Sequence, residues 1–299
     1  KGYSTALAAS SPWLPVNPAI ASQGVSLNSV EYSPKNSNVI WMTGRSTLAG
    51  KSAYVFRSVD GGANWSQNTI PTGGGGVTNI AVRNDTVAII GTYSGQIFRT
   101  QNGGAKWDTV YSYATPAVAF MDGIAYVGGN RETAIAIGDA DDLGSLIARS
   151  TDGGLTWTRI TALPAEDLSA GKYFSFASYG QAISAVGNSI WSTWYAGSAF
   201  NPRIVKSIDG GVTWTGASIA LPGGTANNYF FRSINMAGDS IGYAVGRRVG
   251  GTTTDFDNPL MKTTNGGTTW DSLSVEAGAN NIQKVYSAKP IPGTNQVVA

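Results

Sequence analysis

The side chains best suited to chemistry are arginines and carboxylic acids that lie between the apolar runs of the chain. Arginine offers paired N–H donors to a carboxylate, and two carboxylic acids about 5 to 10 Å apart can cleave a glycosidic bond. Histidine and cysteine are absent, which excludes imidazole and thiolate chemistry. The arginines are Arg45, Arg131, Arg203 and Arg247, and the acids are Glu132, Glu166, Asp139 and Asp255.

A second candidate is the acidic run formed by Asp139, Asp141 and Asp142. Carboxylate oxygens suit Ca²⁺, but the run lacks the glycine and the terminal glutamate of an EF-hand loop. We therefore predict a solvated acidic loop without metal or cofactor, and Ca²⁺ binding at this run is the alternative.

Aromatic side chains form a third candidate, because Trp191, Trp194 and Tyr195 could stack on sugar rings. The segment reads Ser-Ile-Trp-Ser-Thr-Trp-Tyr, which predicts a strand, so at least one tryptophan should lie in the core. Trp194 and Tyr195 are the binding candidates from this segment.

Charge and hydropathy exclude two classes of partner. Twenty basic and eighteen acidic residues leave a net charge of +2, and no dense Lys/Arg block of the kind that binds nucleic acid is present. No segment approaches the roughly 20 apolar residues of a membrane-spanning helix. The first residues, Lys-Gly-Tyr-Ser, contain no apolar signal core.

A nine-residue motif occurs five times and sets the organisation of the chain. Each copy reads Lys/Arg, Ser/Thr, any residue, Asp/Asn, Gly, Gly, two further residues and Trp, and the copies lie roughly 40 to 60 residues apart, a spacing typical of four-stranded repeats. The acidic or amide positions are Asp60, Asn102, Asp152, Asp209 and Asn265, and the tryptophans are Trp65, Trp107, Trp157, Trp214 and Trp270.

These motif residues predict a structural turn. Asp and Asn side chains bond to nearby backbone N–H groups, and paired glycines supply positive φ. Asn replaces Asp in two copies, which a catalytic acid would not tolerate. We expect the tryptophan to pack between neighbouring sheets and the basic residue before each motif to lie on a solvated face.

Between the motifs, each unit shows two more apolar runs joined by a tight turn, as in residues 77–82 and 86–91. A unit is therefore strand A, a tight turn, strand B, a loop, strand C with the motif, and strand D. In the third unit we place strand A at residues 117–120, the turn at Asp122 and Gly123, and strand B at residues 124–127. Four strands per repeat predict an all-β propeller.

The chain resembles the BNR/Asp-box superfamily, whose signature is Ser-x-Asp-x-Gly-x-x-Trp. Three of the five copies match it, and the other two have Thr and Asn in place of Ser and Asp. That superfamily includes sialidases, two-propeller xyloglucanases, sortilin-like receptors and photosystem II assembly factors. The repeats and the turn at residues 290–295 are similar to secreted or cell-surface Bacteroidota proteins of type IX secretion. This resemblance implies an extracellular or cell-surface protein. The Arg-Ile-Pro segment typical of sialidases before the first motif is missing, since residues 38–41 read Asn-Val-Ile-Trp.

We expect one propeller domain over residues 1–299. The chain should hold five complete blades and a partial sixth, with six or seven blades in a longer whole protein. A segment near the start resembles a closing D strand. The blades are predicted at about 26–72, 75–113, 115–164, 178–222, 230–276 and 281–299, and the closing strand at 11–16.

Strand order predicts where ligands bind. Alternate turns of an antiparallel sheet lie at opposite ends, so the A–B turns and Asp boxes should share one face and the variable B–C and D–A loops the other. We place the binding candidates Arg45, Arg131, Glu132, Arg203, Arg247 and Asp255 in B–C loops, beside Trp194 and Tyr195.

Long loops on a rigid scaffold carry recognition. We predict a non-catalytic propeller that binds a protein or glycan at the cell surface. A carbohydrate hydrolase is one alternative, and a scaffold within a larger secretion or membrane complex is another.

Overall fold

The computed structural model describes residues 25–46, 53–70, 76–112, 120–141, 144–161, 174–175, 182–196, 201–218, 229–248, 259–273, 287–290 and 297–298. Every regular element within these ranges is a β-strand. No helix in this part of the chain is long and apolar enough to cross a membrane.

Five successive sheets each contain strands A to D in chain order from one edge to the other. Blade one is β1 (Val25–Ser33), β2 (Asn36–Ser46), β3 (Ala53–Ser58) and β4 (Ser66–Ile70). Blade two is β5 (Val77–Val82), β6 (Ala88–Thr92), β7 (Gln96–Thr100) and β8 (Asp108–Ser112). Blade three is β9 (Met121–Val127), β10 (Thr133–Asp141), β11 (Gly144–Ser150) and β12 (Thr158–Arg159).

Strand A of blade four is in two pieces, β13 (Phe174–Ser175) and β14 (Ile183–Val186), which both pair with β15 (Ser189–Ala196). The blade continues with β16 (Asn201–Ser207) and β17 (Thr215–Ser218). Blade five is β18 (Tyr229–Met236), β19 (Gly242–Arg248), β20 (Leu260–Thr263) and β21 (Asp271–Leu273). A sixth sheet is the hairpin of β22 (Lys289–Pro290) and β23 (Val297–Val298).

The A strands of successive blades contact one another, from β1 with β5 through to β18 with β22. The apolar clusters lie between neighbouring sheets, as where Trp41 and Val55 of blade one meet Ile80 and Phe98 of blade two. Alternate residues of each strand therefore face different neighbouring blades. The predicted all-β propeller of five four-stranded blades and a partial sixth is confirmed.

The predicted division of blade three is wrong. Asp122 and Gly123 lie inside β9, and the A–B turn spans residues 128–132. Asp-Gly is a common turn pair, but here Asp122 is the extra residue of a β-bulge, because Met121 pairs with Gly138 and Gly123 with Ile137. Strand A is bulged at the corresponding point in blades one, two and five, with Asn28, Thr78 and Arg232 as the extra residues.

Each Asp box is the hairpin between strands C and D. In blade three, Asp152 Oδ1 accepts bonds from the backbone N–H of Thr156 at 3.0 Å and from Ser150 Oγ at 2.7 Å. Asn102 Oδ1 accepts the matching bond from Lys106 N at 2.9 Å, so the amide reproduces the carboxylate's bonds. Both glycines of every box have positive φ, which confirms the predicted turn.

The boxes also join the A–B turns of their own blades, which confirms that these turns share one face. The first glycine of each box donates its N–H to a carbonyl in the A–B turn or, in blade one, at the start of strand B. The acceptors are Asn38, Thr86, Glu132, Asn188 and Ser240.

The prediction that the basic residue before each box is solvated is wrong. Arg99 Nε donates to the carbonyl of Gly153 in the next blade at 3.0 Å, and Arg149 Nε and Lys206 Nζ do the same to Gly210 and Gly266 at 2.8 and 2.9 Å. We call this pairing of a basic side chain with the next box the inter-blade clamp. It is absent from local sequence patterns because it joins residues more than 50 positions apart.

Four of the box tryptophans pack between sheets as predicted. Trp107 and Trp214 are buried with residues of the preceding blade, and Trp157 and Trp270 pack against the equivalent clusters. Trp65 differs, since its apolar contacts in the described structure are with its own blade.

Candidate functional site

The B–C turns and the beginnings of the A strands lie at the same end of the sheets, which we call the loop face. Arg45 near the end of β2, Trp194 and Tyr195 near the end of β15, Arg203 near the start of β16 and Arg247 near the end of β19 all lie toward this face. Asp255 lies outside the described residues.

Three consecutive blades each contribute one side chain to a contact on the loop face. The Arg45 guanidinium carbon lies 5.4 Å from the Tyr93 ring centroid, within the range of a cation–π contact. The Tyr93 and Phe120 rings meet edge to face at 5.3 Å. Arg45 is exposed and the two rings are half-buried. We call these three residues the loop-face patch.

Gly76 permits this patch to form. A Cβ at residue 76 would lie 2.7 Å from Arg45 Cβ and 3.1 Å from the Tyr93 ring. The backbone N–H of Tyr93 donates to the carbonyl of Gly76 at 3.0 Å. Sequence reasoning selected Arg45 and missed Tyr93 and Phe120, whose only signal was an aromatic residue beside a glycine-containing turn or a strand start.

Trp194 is wrong as a sugar-stacking candidate, because only 5% of its surface is exposed. Its Nε1 donates to Ser192 Oγ at 2.7 Å, and it packs among residues of blades three and four. Trp191 is fully buried. Trp194 pairs across the strands with Arg203. The segment is therefore a strand with both tryptophans in the core, where at least one was predicted.

The placement of Arg131 and Glu132 on the loop face is wrong. Both lie in the A–B turn of blade three, on the Asp-box face. Arg131 has a φ of 52° and donates through Nη1 to the carbonyl of Val82 at 2.6 Å, and Glu132 forms an ion pair with Arg83. These contacts join blades two and three and leave both residues far from the predicted partners on the loop face.

A carboxyl pair that the sequence did not indicate lies next to the patch. Asp122, at the bulge of β9, is hydrogen-bonded to Asp139 on β10. Asp122 is 2% exposed, and its Oδ2 has no hydrogen-bond partner in the described structure. Asp139 Oδ2 accepts a bond from Phe120 N at 3.2 Å, and Asp139 N donates to Phe120 O at 3.0 Å.

Burial raises the pKa of Asp122 well above its usual range, and the nearby charge and hydrogen bond of Asp139 raise that pKa further. Two carboxyl groups in direct contact hold one proton between them. Paired glycosidase acids stand about 5 Å or more apart, so this pair does not have that geometry.

The Ca²⁺ alternative at residues 139–142 remains an expectation, because the side chains of Asp141 and Asp142 lie outside the description. Within the described ranges, no group of three or more acidic side chains is arranged to hold a metal.

Comparisons with known proteins match this architecture, although no model of a known protein family matches the chain. A xyloglucanase from Paenibacillus sp is 30% identical over 138 residues, which are 37% of this chain and 13% of that enzyme. The chain therefore spans about one eighth of the length of this curated relative.

Solved structures give longer matches at low identity. The GH74 xyloglucanase from Xanthomonas campestris has a TM-score of 0.60 and 15% identity over 84% of this chain and 38% of its own. YCF48 from Cyanidioschyzon merolae has a TM-score of 0.52 and 18% identity over 90% of this chain and 91% of its own. At these identities the likeness concerns the fold alone, and with the sheets described above it shows that the chain is a β-propeller.

Proposed function

We propose that this propeller is a non-catalytic extracellular protein that recognises a protein or glycan through its loop face. The loop-face patch of Arg45, Tyr93 and Phe120 carries the proposal, because three blades bring these residues together. An exposed guanidinium beside two half-buried rings combines N–H donors with apolar surface. Ligand sites commonly have this composition.

The setting of the patch favours binding, because its two aromatic residues are held in place before a ligand arrives. Tyr93 is held by its backbone bond to Gly76, and Phe120 by two bonds to Asp139. A preorganised site loses less conformational entropy on binding. Inter-blade packing holds the three contributing blades in place.

A glycoside hydrolase is the second candidate, favoured by the 30% identity to a xyloglucanase over 138 residues. The positions of the described carboxylates do not favour a hydrolase. Asp122 and Asp139 are too close together for glycosidase acids, and Glu132 is paired with Arg83 on the opposite face. A scaffold role, considered because of the likeness to YCF48, would use the same face for a protein partner.

Calorimetric titration of the purified protein with xyloglucan oligosaccharides and a panel of other soluble glycans tests the proposal. Arg45→Ala and Tyr93→Ala should each weaken binding by at least about tenfold, because interface aromatics and arginines dominate affinity. Lys106→Ala is the matched control, because its side chain is 71% exposed near an Asp box. This control should bind as the parent does.

Assays of new reducing ends in the same mixtures separate the candidates. Binding without cleavage supports the proposal, whereas cleavage abolished by Asp255→Asn would establish the hydrolase. Glycan binding that is unchanged in both patch variants would exclude this site. If no glycan binds, a partner that co-purifies with the parent and is lost from both patch variants supports protein recognition, and a free monomer in native extract excludes the scaffold.

A further inference from the structure

The chain contains two Asn-Gly pairs, and both stand in Asp boxes. They are Asn102-Gly103 in blade two and Asn265-Gly266 in blade five, whereas the other three boxes contain Asp-Gly. An asparagine before glycine loses its side-chain ammonia most easily, because glycine has no side chain to hinder its backbone nitrogen. Both asparagines are exposed, so water reaches them.

The loss of ammonia, called deamidation, consumes one water molecule. The backbone nitrogen of the glycine attacks the asparagine Cγ and forms a cyclic succinimide, while the bond between Cγ and Nδ2 breaks. The proton of the glycine N–H passes through water to the leaving nitrogen, which departs as ammonia. Water then opens the ring. Attack of water at Cγ gives aspartate, and attack at the backbone carbonyl carbon gives isoaspartate.

The fold restrains the nitrogen that must attack in each box. Gly103 N–H donates to the carbonyl of Thr86 at 2.9 Å, and Gly266 N–H donates to the carbonyl of Ser240 at 2.8 Å. Each nitrogen has to give up this bond before it can lose its proton and reach Cγ. Each box must therefore open locally before its asparagine reacts.

The leaving nitrogen is held in one box and free in the other. Both asparagines accept a backbone bond at Oδ1, from Lys106 N at 2.9 Å and from Thr269 N at 3.0 Å. Asn265 Nδ2 also donates to Thr269 Oγ1 at 2.8 Å. Lys106 occupies the position of Thr269 in the box of blade two, and its ammonium group has no acceptor atom. Asn102 Nδ2 donates to no atom of the described residues.

We propose that Asn102 and Asn265 are modification sites at which the folded protein deamidates, and that Asn102 reacts first. Local opening frees the attacking nitrogen in both boxes, but Asn265 must in addition give up its bond to Thr269. Both residues lie on the Asp-box face, so this modification does not depend on the proposed function of the loop face.

The two products should differ in their fit to the box. Aspartate at residue 102 can accept the backbone bond that Asn102 now accepts, as Asp152 does in blade three. Isoaspartate adds one carbon to the main chain before Gly103, which displaces the Gly103 N–H from the carbonyl of Thr86. The aspartate product should therefore keep the turn, and the isoaspartate product should disrupt it.

The first experiment compares the two asparagines in folded and unfolded protein. The protein is incubated at pH 8 with and without concentrated urea, and tandem mass spectrometry of tryptic peptides follows both residues against an unincubated sample. In urea both should convert at similar rates, because each stands before two glycines. In the folded protein both should convert more slowly, and Asn102 should be about fivefold or more faster than Asn265, the effect of one hydrogen bond on an equilibrium.

Three results would contradict the proposal. Folded protein that converts at neither residue would show that these are not modification sites. Folded rates equal to those in urea would exclude protection by the box. Equal folded rates at the two residues, or a faster rate at Asn265, would overturn the order.

The second experiment exchanges the side chains that distinguish the two boxes, both of which are exposed. Thr269→Val removes the acceptor of Asn265 Nδ2 and should raise the rate at Asn265 toward that at Asn102. Lys106→Thr supplies the missing acceptor and should lower the rate at Asn102. The box that is not substituted is the internal control in each variant. Unchanged rates, or rates that change equally in both boxes, would exclude the role of the leaving nitrogen.

The third experiment tests the products. Asn102→Asp should unfold at the same urea concentration as the parent or at a higher one. The isoaspartate form, isolated by ion-exchange chromatography and identified with isoaspartyl methyltransferase, should unfold at a lower concentration. Equal stability of the two products would contradict the inferred disruption of the turn.

Discussion

At the scale of single residues, the pKa values of the aspartates in this propeller are shifted in opposite directions. Burial tends to raise the pKa of Asp152, but bonds from the Thr156 hydroxyl, the Thr156 N–H, Ser150 and the Leu155 N–H outweigh it and bring the pKa to about 2. Asp209 has the same balance and also a pKa of about 2. Asp122 is buried, and this burial, followed by the charge and the hydrogen bond of Asp139, raises its pKa. Burial and the hydrogen bonds donated to the carboxylate together decide the direction of each pKa shift.

Asp152→Asn and Asp152→Ala test the hydrogen-bond role of the box. A depressed pKa gives stability that is present above the ordinary aspartate pKa of about 4 and is lost as pH falls toward 2. The Asn variant should keep most of the stability at neutral pH, because Asn102 accepts the same backbone bond in its own box. It should also lose less stability than the parent as the pH falls, because asparagine does not titrate. Ala should cost about 1 kcal/mol at pH 7 by leaving N–H groups without their acceptor. Urea unfolding at pH 7 and pH 3 measures both, and equal stability of the two variants at pH 7 would contradict this role.

At the scale of elements, each Asp box is an inter-blade joint as well as a turn. Its second glycine packs on a strand-B side chain of the preceding blade, as Gly211 does on Ile135 and Gly154 on Ile89. The clamp residue beside it bonds to the first glycine's carbonyl. The motif is therefore shaped both by its own hairpin and by the neighbouring sheet.

Gly211→Ala should destabilise the protein by more than about 2 kcal/mol. Its φ is 84°, and a Cβ would lie 2.4 Å from Ile135 Cδ1, so backbone strain and overpacking both contribute. Ile135→Val removes that methyl and should cost about 1 kcal/mol alone. The double variant should lose less free energy of unfolding than the sum of the losses in the two single variants. Gly129→Ala, where a Cβ meets nothing within 4 Å, is the control, and purely additive losses would contradict the contact.

Arg99→Met tests the clamp. Arg99 is 7% exposed and bonds to the carbonyl of Gly153, so its removal should cost about 1.5 to 3 kcal/mol, the range for bonds from charged donors. Lys106→Met breaks an exposed ion pair with Asp108 and should cost less than about 1 kcal/mol. Thermal unfolding compares the two variants. Equally small losses of stability in the two variants would contradict the clamp and would favour the solvated position that the sequence predicted for Arg99.

At the scale of the whole molecule, local patterns predicted the fold and non-local packing decided the site. The boxes, tight turns and strand alternation are set by neighbours in sequence, so five blades and a partial sixth could be predicted. The bulge at Asp122 resembles an Asp-Gly turn locally, and only pairing with β10 distinguishes the two. Tyr93 and Phe120 meet because three blades close together, which no spacing in the sequence indicates.

The apolar side chains of β1 show how one end of this arc is built. Leu27, Val30 and Tyr32 are each at least half exposed, whereas the A strands of blades two and three are largely buried between neighbours. At the other end, Asn235 Nδ2 donates to the carbonyl of Ala288 at 3.1 Å, which places the sixth hairpin where the next A strand belongs. Among the described residues, the blades thus follow one another from β1 to the sixth hairpin.

Asp122→Asn should make the whole propeller more stable at alkaline pH. A raised pKa gives stability that is present below the ordinary aspartate pKa and is lost as pH rises through the raised value. Asparagine carries no charge, and in blade one Asn28 at the equivalent bulge donates through Nδ2 to the carbonyl of Val77 at 2.6 Å. We expect a gain of about 1 to 3 kcal/mol at pH 8, the usual cost of a buried polar group that lacks partners.

That gain should vanish as the pH approaches 4, where the parent pair holds its proton. Urea unfolding of the parent, Asp122→Asn and the exposed control Asp108→Asn at pH 4, 6 and 8 measures the difference. If Asp122→Asn destabilises the protein equally at all three pH values, Asp122 acts through shape alone. Stability of the parent would then fall on the acid side, through Asp60, Asp152 and Asp209.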